Sequence, residues 1–271
     1  MSAAVGTSHY TVRATPEARE PGAVALAVAS LPESFSPATS EGQADVVVIA
    51  GRPGWATETA EAITAGARGV VVINPVAEDT GSLQAVARHQ GAAVVLDQRW
   101  ASNPAIPAAE DAVRSMLGRA AMLDSVAIAP AGTDAGELLA DQFAAVVRLT
   151  GPLGSLRLLT RGPHGYTSTA ILANGAPVAL HGIVTSARPA GVNISLLTDD
   201  GGVSVALPEP VAAWPAMVTV TGPQGDLLLP TIYESAHRAT WRRLKEHLDA
   251  GTTPSDLHGF AMVSESITAL I

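Results

Sequence analysis

Four apolar runs, at residues 24–29, 45–50, 69–73 and 92–96, stand at short intervals in the first hundred residues, and β-branched side chains dominate the middle two. Continuous apolar runs of this length suit strands buried on both faces of a parallel sheet, because a strand with one wet face would alternate. Helix-length stretches lie between them, the clearest at 57–67 and 80–90. Thr57 or Thr59 can cap the first and Gly66 end it, while Asp79 or Thr80 can cap the second and Gly91 end it. This alternation predicts a doubly wound, Rossmann-like α/β domain over residues 1–100. A composition that is 47% hydrophobic but only 4% aromatic agrees with tight helix-on-sheet packing.

The pattern changes after residue 100. A helix at 107–117, a strand at 125–129 and a helix at 134–149 closed by Gly151-Pro152 lead into alternating segments at 155–160, 168–172, 178–185, 191–198, 203–207 and 218–228. Asn174-Gly175 and the stretch 199–202 supply residues tolerant of positive φ, a hairpin signal. Residues 101–271 are therefore expected to form an α+β domain with an open, mostly antiparallel sheet and helices on one face. Helices at 235–250 and 254–270 close the chain.

Composition excludes several kinds of chemistry. A net charge of −9 repels phosphate backbones and anionic bilayers, so neither nucleic acid nor membrane is an expected partner. Arg238, Arg242, Arg243 and Lys245, with Glu234 and Glu246 nearby, read as a solvated helix face. With no cysteine there is no disulfide, thiolate nucleophile or cysteine metal site. The seven histidines show no i, i+4 pairing with a carboxylate, so no metal site is expected. The start MSAAVGTSHYTVR lacks a basic-then-apolar leader, and no apolar run approaches a bilayer span, which makes a cytoplasmic protein the expectation. Serine nucleophile motifs are missing, and Arg161-Gly162-Pro163-His164-Gly165-Tyr166 reads as a wide hairpin connection.

Local strings narrow the fold. Residues 44–53 (ADVVVIAGRP), a helix ending Ala65-Gly66-Ala67, the strand VVVINP at 70–75, and residues 93–104 (AVVLDQRWASNP) form one set. With Gly136-Glu137-Leu138-Leu139-Ala140-Asp141 and the closing stretch 260–271, this set resembles the Gfo/Idh/MocA oxidoreductases, in a divergent and shortened form. The resemblance implies an NAD(P) cofactor, a sugar, cyclitol or related polyol substrate, and a catalytic lysine and histidine that handle the hydroxyl proton during hydride transfer. At the matching positions this chain has Asn74 and Ala145, and only Asp141 remains as a candidate catalytic group.

The resemblance also maps a cofactor site, and this too is eroded. Residues 5–11 line up with the family's glycine loop, so that Gly6 survives while Ser8 and Thr11 replace the second and third glycines. His9 lies in the same loop, and Ser30 takes the place of the residue that holds the adenosine ribose after a second strand at 24–29. Arg52-Pro53 and Asn74-Pro75 complete the remnant cofactor positions, and Trp55 is placed to fill a vacated pocket.

Two functions follow from these losses. In the first, the protein is a non-catalytic partner or regulatory subunit, or a binder of a small sugar-like ligand, associating as a homo- or hetero-oligomer through the second domain's sheet. The segments 178–185 and 191–198 are the expected contact. In the alternative it is a divergent NAD(P)-dependent oxidoreductase, with Asp141 and His9 or Tyr10 handling the proton.

Overall fold

The computed structural model describes residues 8–39 and 43–270. The chain divides into two compact units, the first reaching to Asp97 and including 237–261, the second comprising 98–236 and the stretch from Met262. Residues 237–261 thus lie with the first unit, not in a continuous domain from 101 to 271. The reason is the face of one helix, α7 in the numbering below: Trp241, Leu244 and Leu248, at i, i+3 and i+7, are buried against the first unit's strands.

The first unit is a parallel sheet of β1 (Tyr10–Ala14), β2 (Phe35–Pro37), β3 (Val46–Ala50), β4 (Gly69–Ile73) and β5 (Ala93–Asp97), in the spatial order β2-β1-β3-β4-β5. Its helices are α1 (Pro16–Arg19), α2 (Val24–Ala29), α3 (Trp55–Thr64), α4 (Gly81–Gln90) and, from later in the chain, α7 (Ala236–Ala250). Successive side chains of a strand go to opposite faces. Val46, Val48, Val71 and Ile73 pack with Val28 and Trp241, and Val47, Ile49, Val70 and Val72 with Trp55, Ile63 and Phe260. The outer strand β5 is shielded at its free edge: Leu96 N donates to Asp256 Oδ2 at 2.9 Å, and Arg243 donates to Leu96 O at 3.1 Å and to Asp256 Oδ1 at 2.9 Å. Side chains thus satisfy backbone groups that a further strand would otherwise take, and Arg243 departs from the solvated face expected of its cluster.

The run at 24–29 is helix α2, not the expected second strand. Val24, Ala27 and Val28 are buried while Leu26 is 69% exposed, a helical period. Three alanines in six residues favour the helix, and a short apolar run does not distinguish the two states by hydrophobicity alone.

The second unit is an eight-stranded sheet of β6 (Met122–Ala129), β7 (Gly154–Gly162), β8 (Gly165–Ile171), β9 (Pro177–Val184), β10 (Gly191–Leu197), β11 (Gly202–Pro208), β12 (Met217–Gly222) and β13 (Gly225–Leu228). The order is β13-β12-β11-β10-β6-β9-β8-β7, and every neighbouring pair is antiparallel except β6 with β9. Helices α5 (Ile106–Met116) and α6 (Ala135–Thr150) cover one face, burying Leu123, Leu180, Ile194 and Val205. The opposite face is open. The last helix is α8 (Asp256–Thr268). Among the described residues no helix is long and apolar enough to cross a membrane.

Candidate functional site

In a doubly wound sheet, ligands bind outside the carboxyl ends of the strands, where the strand order reverses. In the first unit that point lies between β1 and β3, since β2 pairs on one side of β1 and β3 on the other. The turn after β1 reads Ala14-Thr15-Pro16-Glu17 and contains no glycine. Thr15 precedes the helix with φ −62° and ψ 150° and makes no side-chain cap, Pro16 opens α1, Glu17 sits in its first turn, and α1 has four residues.

The turn after β3 is tight. Gly51 N donates to Ile73 O at 2.7 Å and Val76 N to Gly51 O at 2.8 Å. A Cβ on Gly51 would lie 2.2 Å from Pro75 Cα, so only glycine fits. Arg52, Pro53 and Asn74 are exposed here, Pro75 is half-buried, and Asn74 adopts φ 48° in the left-handed region. The start of α3 is occupied by the chain's own anion: Glu78 accepts from Gly54 N at 3.1 Å and from Ala56 N at 3.3 Å. Trp55 is 1% exposed, donates to Val76 O at 2.9 Å and meets Phe260 edge-on at 5.5 Å. It therefore fills space beneath this turn.

Arg52, Pro53, Asn74 and Pro75 thus share the carboxyl edge, but the other predicted cofactor positions do not join them. Ser8 and His9 precede β1 and lie at the amino end of the sheet, because β1 itself is Tyr10–Ala14. Ser30 follows α2 and enters β2 from that same end, its hydroxyl turned back to Ala27 O at 2.7 Å. Gly6 lies outside the described residues. Tyr10 is 1% exposed and donates to Asp249 Oδ1 at 2.9 Å. Burial and the Asp249 carboxylate hold its phenol above the ordinary value, which removes it as a proton handler at neutral pH. The misplacement has one cause: reading 24–29 as a strand moved the glycine loop one element towards the N-terminus.

A group that the sequence reading passed over lies at the end of β5. Asp97, 1% exposed, is hydrogen-bonded to His237 Nδ1 at 2.6 Å and accepts from Thr240 Oγ1 at 3.3 Å. Burial lowers the His237 pKa, but the hydrogen bond and charge of Asp97 outweigh it and the net shift is upward. A carboxylate closing the apolar run AVVLD was a visible signal; its partner, 140 residues on, was not.

Asp141 belongs to the second unit, on α6. Arg99 lies between Asp141, 3.7 Å away, and Glu209, to which it donates a short hydrogen bond, and its guanidinium covers the Trp100 ring at 4.9 Å. Burial pushes the Asp141 carboxyl up to about 7; Arg99 opposes this, and Glu137 and Glu209 add to it. The side chain nonetheless keeps 29% of its exposure, so water moderates the effect. The next residue, Gln142, is wholly buried: it receives the Tyr166 hydroxyl and donates to Ser125 Oγ at 2.8 Å. Ala145, one turn after Asp141, is 0% exposed in the core, so this turn of α6 presents no second titratable group. Among the described residues no three of His, Asp and Glu are grouped to hold a metal ion.

No family model and no curated protein matches this chain. Solved structures do. UDP-N-acetylglucosamine 3-dehydrogenase GnnA from Acidithiobacillus ferrooxidans is 15% identical, with a TM-score of 0.69 over 97% of both chains. KijD10, a 3-ketoreductase from Actinomadura kijaniata solved with NADP, is 15% identical, with a TM-score of 0.68 over 97% of this chain and 88% of its own. A dehydrogenase from Chromobacterium violaceum gives a TM-score of 0.65 at 14% identity, over 97% of this chain and 94% of its own. The chain has the fold of the Gfo/Idh/MocA-type oxidoreductases.

Proposed function

We propose that this protein keeps the fold of a sugar dehydrogenase without its dinucleotide chemistry and works as a non-catalytic, self-associating subunit. The turn after β1 carries this reading. A pyrophosphate at that position needs close backbone approach, free N–H groups and the positive end of a helix. Pro16 has no N–H, Glu17 brings like charge, and a four-residue helix supplies little dipole. The residues present do not fit the group, and the neighbouring start of α3 is already taken by Glu78. Thermal shift tests this directly, since a ligand at about a hundred times its Kd stabilises the native state by about 2.7 kcal/mol. No shift is expected with NAD+, NADH, NADP+ or NADPH at millimolar concentration. A clear rise with one of them would sink the reading.

The open face of the eight-stranded sheet supports association. Met122, Ile171, Ile183, Leu197, Met217 and Leu228 lie on it, each at least 36% exposed. On a chain of net charge −9 this face carries few charges: Asp124 stands 3.8 Å from His181 on β6 and β9, with Arg157 and Asp226 on the two outer strands. Two copies can meet there with little like-charge repulsion, their exposed apolar side chains meeting across the contact. Sedimentation velocity is expected to show a dimer that Ile183→Asp reduces to monomer with unchanged circular dichroism. A native chain that stays monomeric at high concentration would remove this support.

One observation favours an enzyme instead. The Asp141 carboxyl titrates near neutrality, as a proton-transfer group should, and the solved relatives carry the names of sugar-acting enzymes. A divergent NAD(P)-dependent oxidoreductase acting on a sugar-like substrate would lose turnover in Asp141→Asn with its fold intact.

A further inference from the structure

The protein has four tryptophans, three tyrosines and three phenylalanines. All are buried except Trp214, 75% exposed, and Tyr233, 76% exposed. A chain that buries every other aromatic ring leaves these two uncovered for a reason other than shortage of core. They lie on two segments of the second unit, 210–218 leading into β12 and 229–236 leaving β13, which are bonded to each other at both ends. Leu229 N donates to Val218 O at 2.8 Å and Ala236 N to Pro210 O at 3.1 Å. Counted from the Val218–Leu229 tie, Trp214 and Tyr233 are each four residues away, so the two stand near each other across the pair.

We propose that Trp214 and Tyr233 form an aromatic clasp with which each copy of this chain grips a second copy at the β12–β13 end of the open sheet face. The proposal rests on the association argued above and names residues that face alone does not include. Continuity is the first argument for that occupant: Met217 and Leu228, where the two segments join the sheet, are themselves exposed on the open face, at 51% and 50%.

Size is the second argument. Eight strands about 4.8 Å apart and about 20 Å long give a face of about 700 Å². A stable interface buries about 800 Å² per partner, so the face alone falls slightly short. Tyrosine and tryptophan each add about 150–250 Å².

Charge is the third. Glu234, the one carboxylate in these segments, lies inside the protein at 6% exposure, and Glu209, next to Pro210, is committed to Arg99. The clasp therefore offers no countercharge to a basic or acidic partner, whereas a second neutral clasp meets it without penalty. Pro210, Pro215 and Pro230 fix the backbone around the rings, so less entropy is lost on ordering them.

Tryptophan fluorescence isolates the event, because Trp55, Trp100 and Trp241 are at most 1% exposed and iodide reaches Trp214 alone. The quenching constant of that component is expected to fall several-fold as protein concentration rises through the association range, in step with sedimentation. Trp214→Phe with Tyr233→Ala is expected to weaken dimerisation at least tenfold, with circular dichroism unchanged. A dimer in which Trp214 stays equally quenchable overturns the clasp and leaves the open-face contact standing. A chain that remains monomeric, with Trp214 quenchable throughout, overturns both.

Discussion

His237→Ala is expected to destabilise the protein by about 3–5 kcal/mol, because it strips the partner from a carboxylate that has no route to water. Asp97 is 1% exposed, and Thr240 at 3.3 Å is the other side chain bonded to it. The pair holds the start of α7 to the end of β5, so its loss also loosens the helix that seats Trp241 and Leu244 in the core. The pH dependence has a definite sign. Burial lowers the His237 pKa, the Asp97 hydrogen bond and charge raise it further, and the folded value lies above the unfolded one. A group shifted this way stabilises fully below the unfolded pKa of about 6.5 and loses its contribution as pH rises through the folded value. Urea unfolding from pH 5.5 to 9 should therefore show a decline on the alkaline side that Asp97→Asn abolishes. An unaltered decline in that variant would assign the slope to another group.

How much of this was legible in the sequence differs between the two units. The alternation of the strands from β8 to β11 is direct, because one face is packed on α5 and α6 and the other is open, and a period of two records that asymmetry residue by residue. The three parallel strands β3, β4 and β5 were equally plain as unbroken apolar runs. The failure came at β1, which reads YTVRA with an exposed arginine and offers no such run. The more apolar VALAVA suits a strand by hydrophobicity alone, yet it is helix. That single exchange carried the supposed cofactor residues Ser8, His9 and Ser30 to the wrong end of the sheet. The Asp97–His237 and Leu96–Asp256 bonds were illegible for a different reason: they join β5 to residues 140 and 160 positions later, and no local pattern marks such a pair. Asp141, by contrast, drew notice through the resemblance of residues 136–141, but its surroundings of Arg99 and Glu209 come from two other parts of the chain.

Asp141→Asn is expected to stabilise the protein at pH 8, and to do so by clearly less at pH 5. The folded carboxyl titrates at about 7, against about 3.9 for an unfolded aspartate. A carboxyl raised in this way stabilises fully below the unfolded value, and its contribution is lost as pH rises through the folded one, because the folded state must then carry a charge that burial disfavours. Full conversion of the shift would be about 4 kcal/mol; with 29% of the side chain exposed, about 2 kcal/mol is the more reasonable expectation. Asparagine keeps the shape and remains neutral, so the variant avoids the cost, while Arg99 retains Glu209 as its partner. Thermal unfolding of both proteins between pH 5 and pH 8 gives the answer: the wild type should lose stability across that window and the variant should not. Equal slopes would mean that Asp141 is ionised throughout, held by Arg99. The same variant bears on function, because a group kept for proton transfer is retained at a cost to the fold. Greater stability without loss of any turnover would leave Asp141 as a relic of the fold's chemistry, consistent with a chain whose β1–α1 turn no longer suits a dinucleotide.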